Sequence, residues 1–353
     1  MKDLTLVVKL TNQCNLNCVY CYDKNNREKI SVSLSEKQIM VAAEKMLLNV
    51  ENTNWIWHGG EPGVFGYNKI IELTEKIKEL AKRYYSTINF SLQTNGTLLD
   101  EEILQKLLNC NIHVGVSYDG TKQKENRFVD LENNILSKCG IICVVYKNTE
   151  LLENYLFLKY KQIPNLSFNM KFPTEKGIEN WKDFLNFYFI DEQPIVESTT
   201  LNFIKKIINN TKKVTCDWDS CDNLFALRED GQLSYCDIDD NYLFGDFTDT
   251  EKIFINDYLN TENYKKYLQD KIEFKNNCLK TCFLSDICSG CFSRIHSEKN
   301  VESNFCENRR QLFLYIKFLL HTTEIKNPLI LELIGNYKLK GELQEHYDSI
   351  FND

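Results

Sequence analysis

The stretch Cys14-Asn15-Leu16-Asn17-Cys18-Val19-Tyr20-Cys21 constrains this chain more than any other. It succeeds a short apolar run, residues 4–10, whose length and β-branched content predict a strand. Three thiols at spacings of four and three residues can converge from one loop onto a single metal centre. Cysteine thiolates are the usual protein donors to a cubane iron–sulfur cluster, which takes four ligands. Three cysteines leave one iron open to something else, much as catalytic zinc sites keep an open position. The competing readings are a zinc site and three unrelated buried thiols. A zinc site wants a fourth ligand nearby, and no Cys or His comes after Cys21 until His58.

The segments downstream of the loop bear on that choice. Short β-branched or aromatic runs at 4–10, 55–57, 88–92, 113–116, 141–146 and 166–169 predict strands. Amphipathic stretches at 35–50, 68–85 and 99–108 lie between them, the first opened by Ser35 with Gln38 completing a capping box. Such β/α alternation predicts an α/β fold, a parallel sheet with helices outside. Pattern alone leaves a doubly wound sheet and a partial barrel both open. In either, sites form at the carboxyl ends of strands. Those ends carry polar clusters: the cysteine loop, then His58-Gly59-Gly60-Glu61-Pro62, Gln93-Thr94-Asn95-Gly96 and Ser117-Tyr118-Asp119-Gly120. Gly59 and Gly60 expose backbone suited to close approach by a ligand, and Glu61 can accept hydrogen bonds from an ammonium group.

A CxxxCx(aromatic)C loop at the end of a first strand resembles the signature of radical S-adenosylmethionine (SAM) enzymes. In that family the open iron chelates the amino and carboxylate groups of SAM, and electron transfer cleaves SAM to a 5′-deoxyadenosyl radical. The resemblance implies an open, partial (β/α)6 TIM-like barrel, with its bridging helices, over residues 1–212. It implies that Tyr20 sets a flat face beside the open iron. Gly59, Gly60 and Glu61 resemble the motif that binds the methionine amino group. Gln93, Asn95 and Ser117 resemble ribose- and carboxylate-contacting strand ends of the sulfatase-maturase branch. Arg127 resembles that branch's arginine, which pairs the methionine carboxylate. The match loosens there: six residues separate Gly120 from Arg127, and the His-Asp pair often found before the arginine is missing.

A second cysteine system lies downstream. Cys221, nine residues, Gly231, four residues and Cys236 form one half; Cys278-x3-Cys282-x5-Cys288-x2-Cys291, then Cys306, form the other, and Cys216 adds an eighth thiol. Two structural zinc sites are the bland reading of these eight. They also resemble the SPASM extension of radical SAM peptide maturases, over residues 213–310, which houses two auxiliary [4Fe–4S] clusters. By that resemblance Cys216, Cys221, Cys236 and Cys291 hold one cluster, and Cys278, Cys282, Cys288 and Cys306 the other. With the cluster of Cys14, Cys18 and Cys21 this makes three. The family's second half usually runs Cx2Cx5Cx3C, so one residue has moved between gaps. Asp237, directly after Cys236, resembles the aspartate that serves as general base in anaerobic sulfatase-maturating enzymes.

Composition sets the frame. The chain has 353 residues, 43% of them apolar, enough for a sizeable core. Fourteen cysteines argue for metal binding rather than a disulfide framework. Cys110, Cys139 and Cys143 fall inside helix- or strand-like runs and read as small apolar residues. A net charge of −8 without a basic stripe speaks against nucleic acid, and no apolar stretch is long enough for a membrane. No charged and apolar leader opens the sequence, so a cytoplasmic location is expected. Residues 311–353 predict a helical tail, and Trp181 and Phe184 predict packing helices.

The reading is a radical SAM oxidoreductase that modifies a peptide or protein, served by an electron donor such as flavodoxin or ferredoxin. Without a recognition domain before the first strand, a separate leader-peptide recognition protein is expected, or else the sulfatase-maturase branch. The altered cysteine spacing and the sequence before Arg127 favour a crosslink, thioether or epimerisation in a ribosomally made peptide over formylglycine formation. A non-catalytic iron–sulfur or zinc protein is the rival from another class.

Overall fold

A computed structural model describes residues 2–28, 30–169, 177–209, 223–285, 288, 292 and 302–338. In chain order these form β1 (Asp3–Lys9), α1 (Lys24–Arg27), α2 (Glu36–Asn49), β2 (Asn52–His58), α3 (Pro62–Phe65), α4 (Tyr67–Tyr84), β3 (Thr87–Thr94) and α5 (Glu101–Asn109). Next come β4 (Ile112–Ser117), a 3-10 turn at Gly120–Lys122, α6 (Gln123–Arg127), α7 (Asn133–Leu136), β5 (Gly140–Val144), α8 (Leu151–Tyr160) and β6 (Asn165–Asn169). Then come α9 (Ile178–Ile190), β7 (Val196–Glu197), α10 (Ser198–Asn209), β8 (Leu224–Leu227), β9 (Gln232–Ser234), β10 (Leu243–Asp246), α11 (Asn256–Leu259) and α12 (Glu262–Thr281). Helices at Glu302–Thr322 and Pro328–Lys338 complete the described elements.

The ten strands among the described residues belong to one sheet, ordered β10-β9-β8-β1-β2-β3-β4-β5-β6-β7. From β8 through β7 every neighbour pair is parallel, and β8, β9 and β10 form an antiparallel meander. The pairing does not close, so this is an α/β fold on an open, mainly parallel sheet. The six strands expected from the sequence are β1–β6.

Alternation along each strand divides the sheet into two faces. Leu4, Leu6 and Val8 of β1 and Trp55 and Trp57 of β2 are buried, as are Ile39, Ala42, Ala43 and Met46 of α2 and Ile70, Leu73 and Ile77 of α4. All of them belong to one hydrophobic core, and the Trp57 indole donates to Thr74 of α4 at 3.0 Å. The opposite face carries Lys9 and His58 in register, then Gln93 beside Gly115, with Ser117 one step further along β4. One face is therefore an apolar core and the other a polar lining. Ser35 caps α2, and the box with Gln38 is formed in both directions.

Trp181 and Phe184 pack with Phe168 in a buried aromatic cluster, as packing helices require. Cys139 and Cys143 are buried, whereas Cys110 is half-buried at the C-cap of α5. The expected boundary at 212/213 falls outside the described residues, and β8 beyond it joins the sheet next to β1. The twenty-residue helix α12 was not among the elements expected from the sequence. Cys278 lies in its last turn and Cys282 is its C-cap, with Cys282 N–H donating to the Cys278 carbonyl at 2.9 Å. Residues four apart sit on one side of a helix, so a helical turn accounts for the longer first gap of Cx3C.

Candidate active site

The cysteine loop leaves β1 and is pinned at its base by side chains on both flanks. Asn12 donates to the carbonyls of Asn26 (3.2 Å) and Ile30 (2.9 Å) and accepts from Val32 N–H (3.0 Å). The end of β2 closes on the same loop: Gly60 N–H donates to the Thr11 carbonyl (2.7 Å) and Glu61 N–H to that of Gln13 (2.8 Å). A Cβ at Gly60 would lie 2.2 Å from the Gln13 oxygen, and one at Gly59 2.8 Å from that of Thr11. The glycine pair is thus required by the close approach of the chain's own backbone.

Glu61 is 1% exposed. Its carboxylate accepts from Gly63 N–H (2.8 Å), Tyr67 hydroxyl (3.1 Å), Thr94 hydroxyl (2.6 Å) and Asn95 N–H (2.8 Å). Three of these donors fall on Oε1 and one, Asn95 N–H, on Oε2. Burial still holds its pKa above the usual range, against the pull of those donors. Asn95 then passes this order to the cysteines, donating to Asn15 at 2.9 Å and lying 3.8 Å from Cys14 Sγ.

On the other side of the loop stands Asp119, buried at the end of β4. It accepts from the Tyr20 hydroxyl and from Val144 N–H, and pairs with Arg127 at 3.2 Å. Arg127 lies over the Tyr20 ring at 5.4 Å and reaches Cys18 Sγ at 3.9 Å. Burial disfavours the charged guanidinium, but Asp119 and its neighbours more than offset this and raise its pKa. Burial raises the Cys18 thiol, with Arg127 opposing and Cys21 and Cys14 adding to the rise. The three thiols are therefore electrostatic neighbours. Among the described residues no three His, Cys, Asp or Glu side chains gather tightly enough for one metal ion. A cluster places its thiolates on different irons and so spaces them wider than one ion does. Three neighbouring thiols with a buried cation at one of them fit that group.

Gln93 donates to Ser117 at 2.8 Å across the polar face. Asp237 accepts from the Tyr22 hydroxyl at 3.0 Å and lies 3.6 Å from Cys236 Sγ. This bond joins the residue after Cys21 to the residue after Cys236. Burial lowers the pKa of His58, partly opposed by Asp237. Farther along the chain, burial raises the Cys306 thiol, with Cys288 and Cys282 adding to the rise and Arg310 and Arg309 opposing it. Cys216, Cys221 and Cys291 lie outside the described residues. Asp119 stood in one of the polar strand-end clusters of the sequence, without a role of its own; sequence reasoning passed over Tyr22, Lys9, Asp23 and Glu229 as site residues. A lysine ending an otherwise apolar strand was the available signal, since fully buried lysines are rare unless paired.

Comparison with known proteins agrees with this geometry. A family model described as the radical SAM superfamily matches residues 8–183. A cysteine-type anaerobic sulfatase-maturating enzyme of Clostridium novyi is 25% identical over 89% of this chain and 95% of its own length. An uncharacterised protein of Methanocaldococcus jannaschii is 31% identical over 65% of this chain and 84% of its own. The solved structure of native anSMEcpe with bound AdoMet and Cp18Cys peptide superposes with a TM-score of 0.74 at 21% identity, covering 95% of this chain and 99% of that one; that likeness carries the fold. With the cysteine loop, the open parallel sheet and the family match together, this chain belongs to the radical SAM superfamily.

Proposed function

We propose that this enzyme oxidises a cysteine or serine side chain of a peptide or protein to formylglycine, as an anaerobic sulfatase maturase. When bound at Cys14, Cys18 and Cys21, a [4Fe–4S] cluster with SAM supplies a 5′-deoxyadenosyl radical. Around it Asn95 and Arg127 hold the loop, and Gln93 and Ser117 offer hydrogen-bonding groups on the polar face. Gly59, Gly60 and Glu61 act here by fixing the loop's approach, and Tyr20 by holding Arg127 against Asp119. Asp237, oriented by the Tyr22 hydroxyl, takes the proton that the substrate side chain gives up. The two sets of C-terminal thiols, Cys216, Cys221, Cys236 with Cys291 and Cys278, Cys282, Cys288 with Cys306, would hold two auxiliary [4Fe–4S] clusters in a SPASM region, which would accept the electron left on the substrate after hydrogen abstraction. A flavodoxin or ferredoxin is the matching electron donor.

The observation that carries this reading is the Tyr22–Asp237 hydrogen bond, which sets a carboxylate beside the first cysteine loop. Relatives named as sulfatase-maturating enzymes align with 89% of the chain, which favours side-chain oxidation over the peptide crosslinking expected from the sequence. That expectation leaned on the shifted cysteine gap, and the helical turn at Cys278–Cys282 supplies a local reason for the shift. The test is anaerobic reconstitution with iron and sulfide, then dithionite, SAM and matched Cys- and Ser-containing sulfatase peptides. Deoxyadenosine together with a peptide aldehyde is the expected result, and Asp237→Asn should lower aldehyde formation about 10²–10⁴-fold while SAM cleavage persists. Deoxyadenosine with crosslinked precursor peptide and no aldehyde would restore the crosslinking reading. Bound zinc without SAM cleavage would overturn both.

A further inference from the structure

Beside the first cysteine loop lies a buried ionic group that the proposed chemistry does not use. Lys9, the last residue of β1, is 0% exposed. Its ammonium is 2.9 Å from Asp23 Oδ1 and 3.8 Å from Glu229 Oε2. Asp23 and Glu229 are buried too, at 8% and 5% exposure. Glu229 Oε1 accepts from the Asn26 side chain of α1. Asp23 Oδ2 and Glu229 Oε2 have no hydrogen-bond donor among the described residues, so both carboxylates rely on Lys9 for charge balance.

The positions of these residues give the group its meaning. Lys9 and Asp23 bracket the whole of Cys14–Cys21, so their pairing closes that segment into a ring. Glu229 stands in the turn between β8 and β9, and β9 leads directly into Cys236. One buried cation therefore ties the entry to the loop, its exit and the hairpin that precedes Cys236.

We propose that Lys9, Asp23, Glu229 and Asn26 form a latch that sets the first cysteine loop against the β8–β9 turn, so that the loop keeps its shape only while that turn is docked. Lys9 and Glu229 are positioning residues, acting through Asp23 and Asn26 on the loop. The latch matters for function because Cys14, Cys18 and Cys21 are assigned as the cluster loop, but its test does not depend on that assignment. A buried pair that loses one partner leaves an uncompensated charge, which drives the remaining group toward water. Here the nearest way out is to lift the loop or the turn.

The test is hydrogen exchange by mass spectrometry on the full iron-free chain, which needs no cluster, SAM or substrate. In Lys9→Met, amides of residues 14–28 and of the β8–β9 turn should exchange at least about tenfold faster, while those of β5 and β6 keep their rates. Glu229→Gln, which retains an acceptor for Asn26, should show the same pattern more weakly, and Lys9→Arg should restore much of the protection. Reconstituted Lys9→Met should also retain less iron at the first site than Lys9→Arg. Uniform acceleration across the sheet in all three variants, or no acceleration in the loop, would overturn the latch. A protected loop in Lys9→Met would overturn it even if the enzyme proves to be a radical SAM maturase. Accelerated loop exchange in a chain that never cleaves SAM would sustain the latch and sink the function.

Discussion

The two cysteine regions of this molecule are built on opposite principles. Cys14, Cys18 and Cys21 come from one short loop whose base is tied by Asn12, whose side is fixed by Asn95 and whose far end is held by Arg127. Its ring is small, so closing it costs little chain entropy, and the donors that fix it are the protein's own. Cys236, Cys278, Cys282, Cys288 and Cys306 are drawn from the end of β9, the end of α12, the segment after it and the helix Glu302–Thr322. The elements that carry them pack on one another, as in the stack of Tyr235 on Tyr267 of α12 with ring centroids 4.4 Å apart. Order in the first region is local, whereas order in the second rests on packing between elements far apart in the chain. What separates them is the distance along the chain over which order must be transmitted.

Three changes test that contrast. Cys18→Ser should abolish deoxyadenosine formation while leaving the C-terminal iron, a loss of about four of about twelve irons per chain by iron assay. Asp119→Asn removes the carboxylate that balances buried Arg127 and should cost about 3–5 kcal/mol of stability in urea unfolding. Iron at the first site should fall with it. Tyr267→Ala opens the stack against Tyr235 and should cost about 3 kcal/mol, with iron lost from the C-terminal sites before the first. Equal loss from both regions in Tyr267→Ala would erase the contrast between them.

The smallest effect concerns pH. Burial raises the Glu61 carboxyl above its ordinary value of 4.5. A folded-state pKa above the unfolded one means that the native chain binds this proton more tightly. Its contribution is therefore complete below the ordinary value and declines as pH rises through the raised one. The stability of the wild type relative to Glu61→Gln should be greatest near about pH 4 and diminish toward neutrality, as read by urea unfolding across that range. A difference that grows with pH would mean that Glu61 ionises more easily in the fold than out of it.

Much of this was legible in the sequence, for reasons of range. The capping box at Ser35 and Gln38 spans three residues, and the six strands announce themselves by local composition. The cysteine loop is a contiguous word. The pairings that turn it into a site are not local: Tyr20 meets Asp119 across 99 positions, and Tyr22 meets Asp237 across 215. No periodicity encodes such a meeting. Glu61 and the glycines were visible, but how they are packed was not. A motif shows which groups are present, and only packing shows that Glu61 accepts from Gly63, Tyr67, Thr94 and Asn95.

The seating of β8 beside β1 has a consequence for how the chain is made. Thr5 pairs with Leu224 and Val8 with Leu227, so one edge of the first strand waits for a partner synthesised roughly 200 residues later. At ordinary translation speeds that wait lasts roughly ten to forty seconds. Throughout it, an apolar strand shows a bare edge of backbone donors and acceptors, open to the same strand on a neighbouring nascent chain. Crowded ribosomes should therefore yield aggregates seeded by β1. Slower initiation should favour soluble product more than slower elongation does. Chains truncated ahead of Leu224 should stay insoluble even with every preceding helix in place.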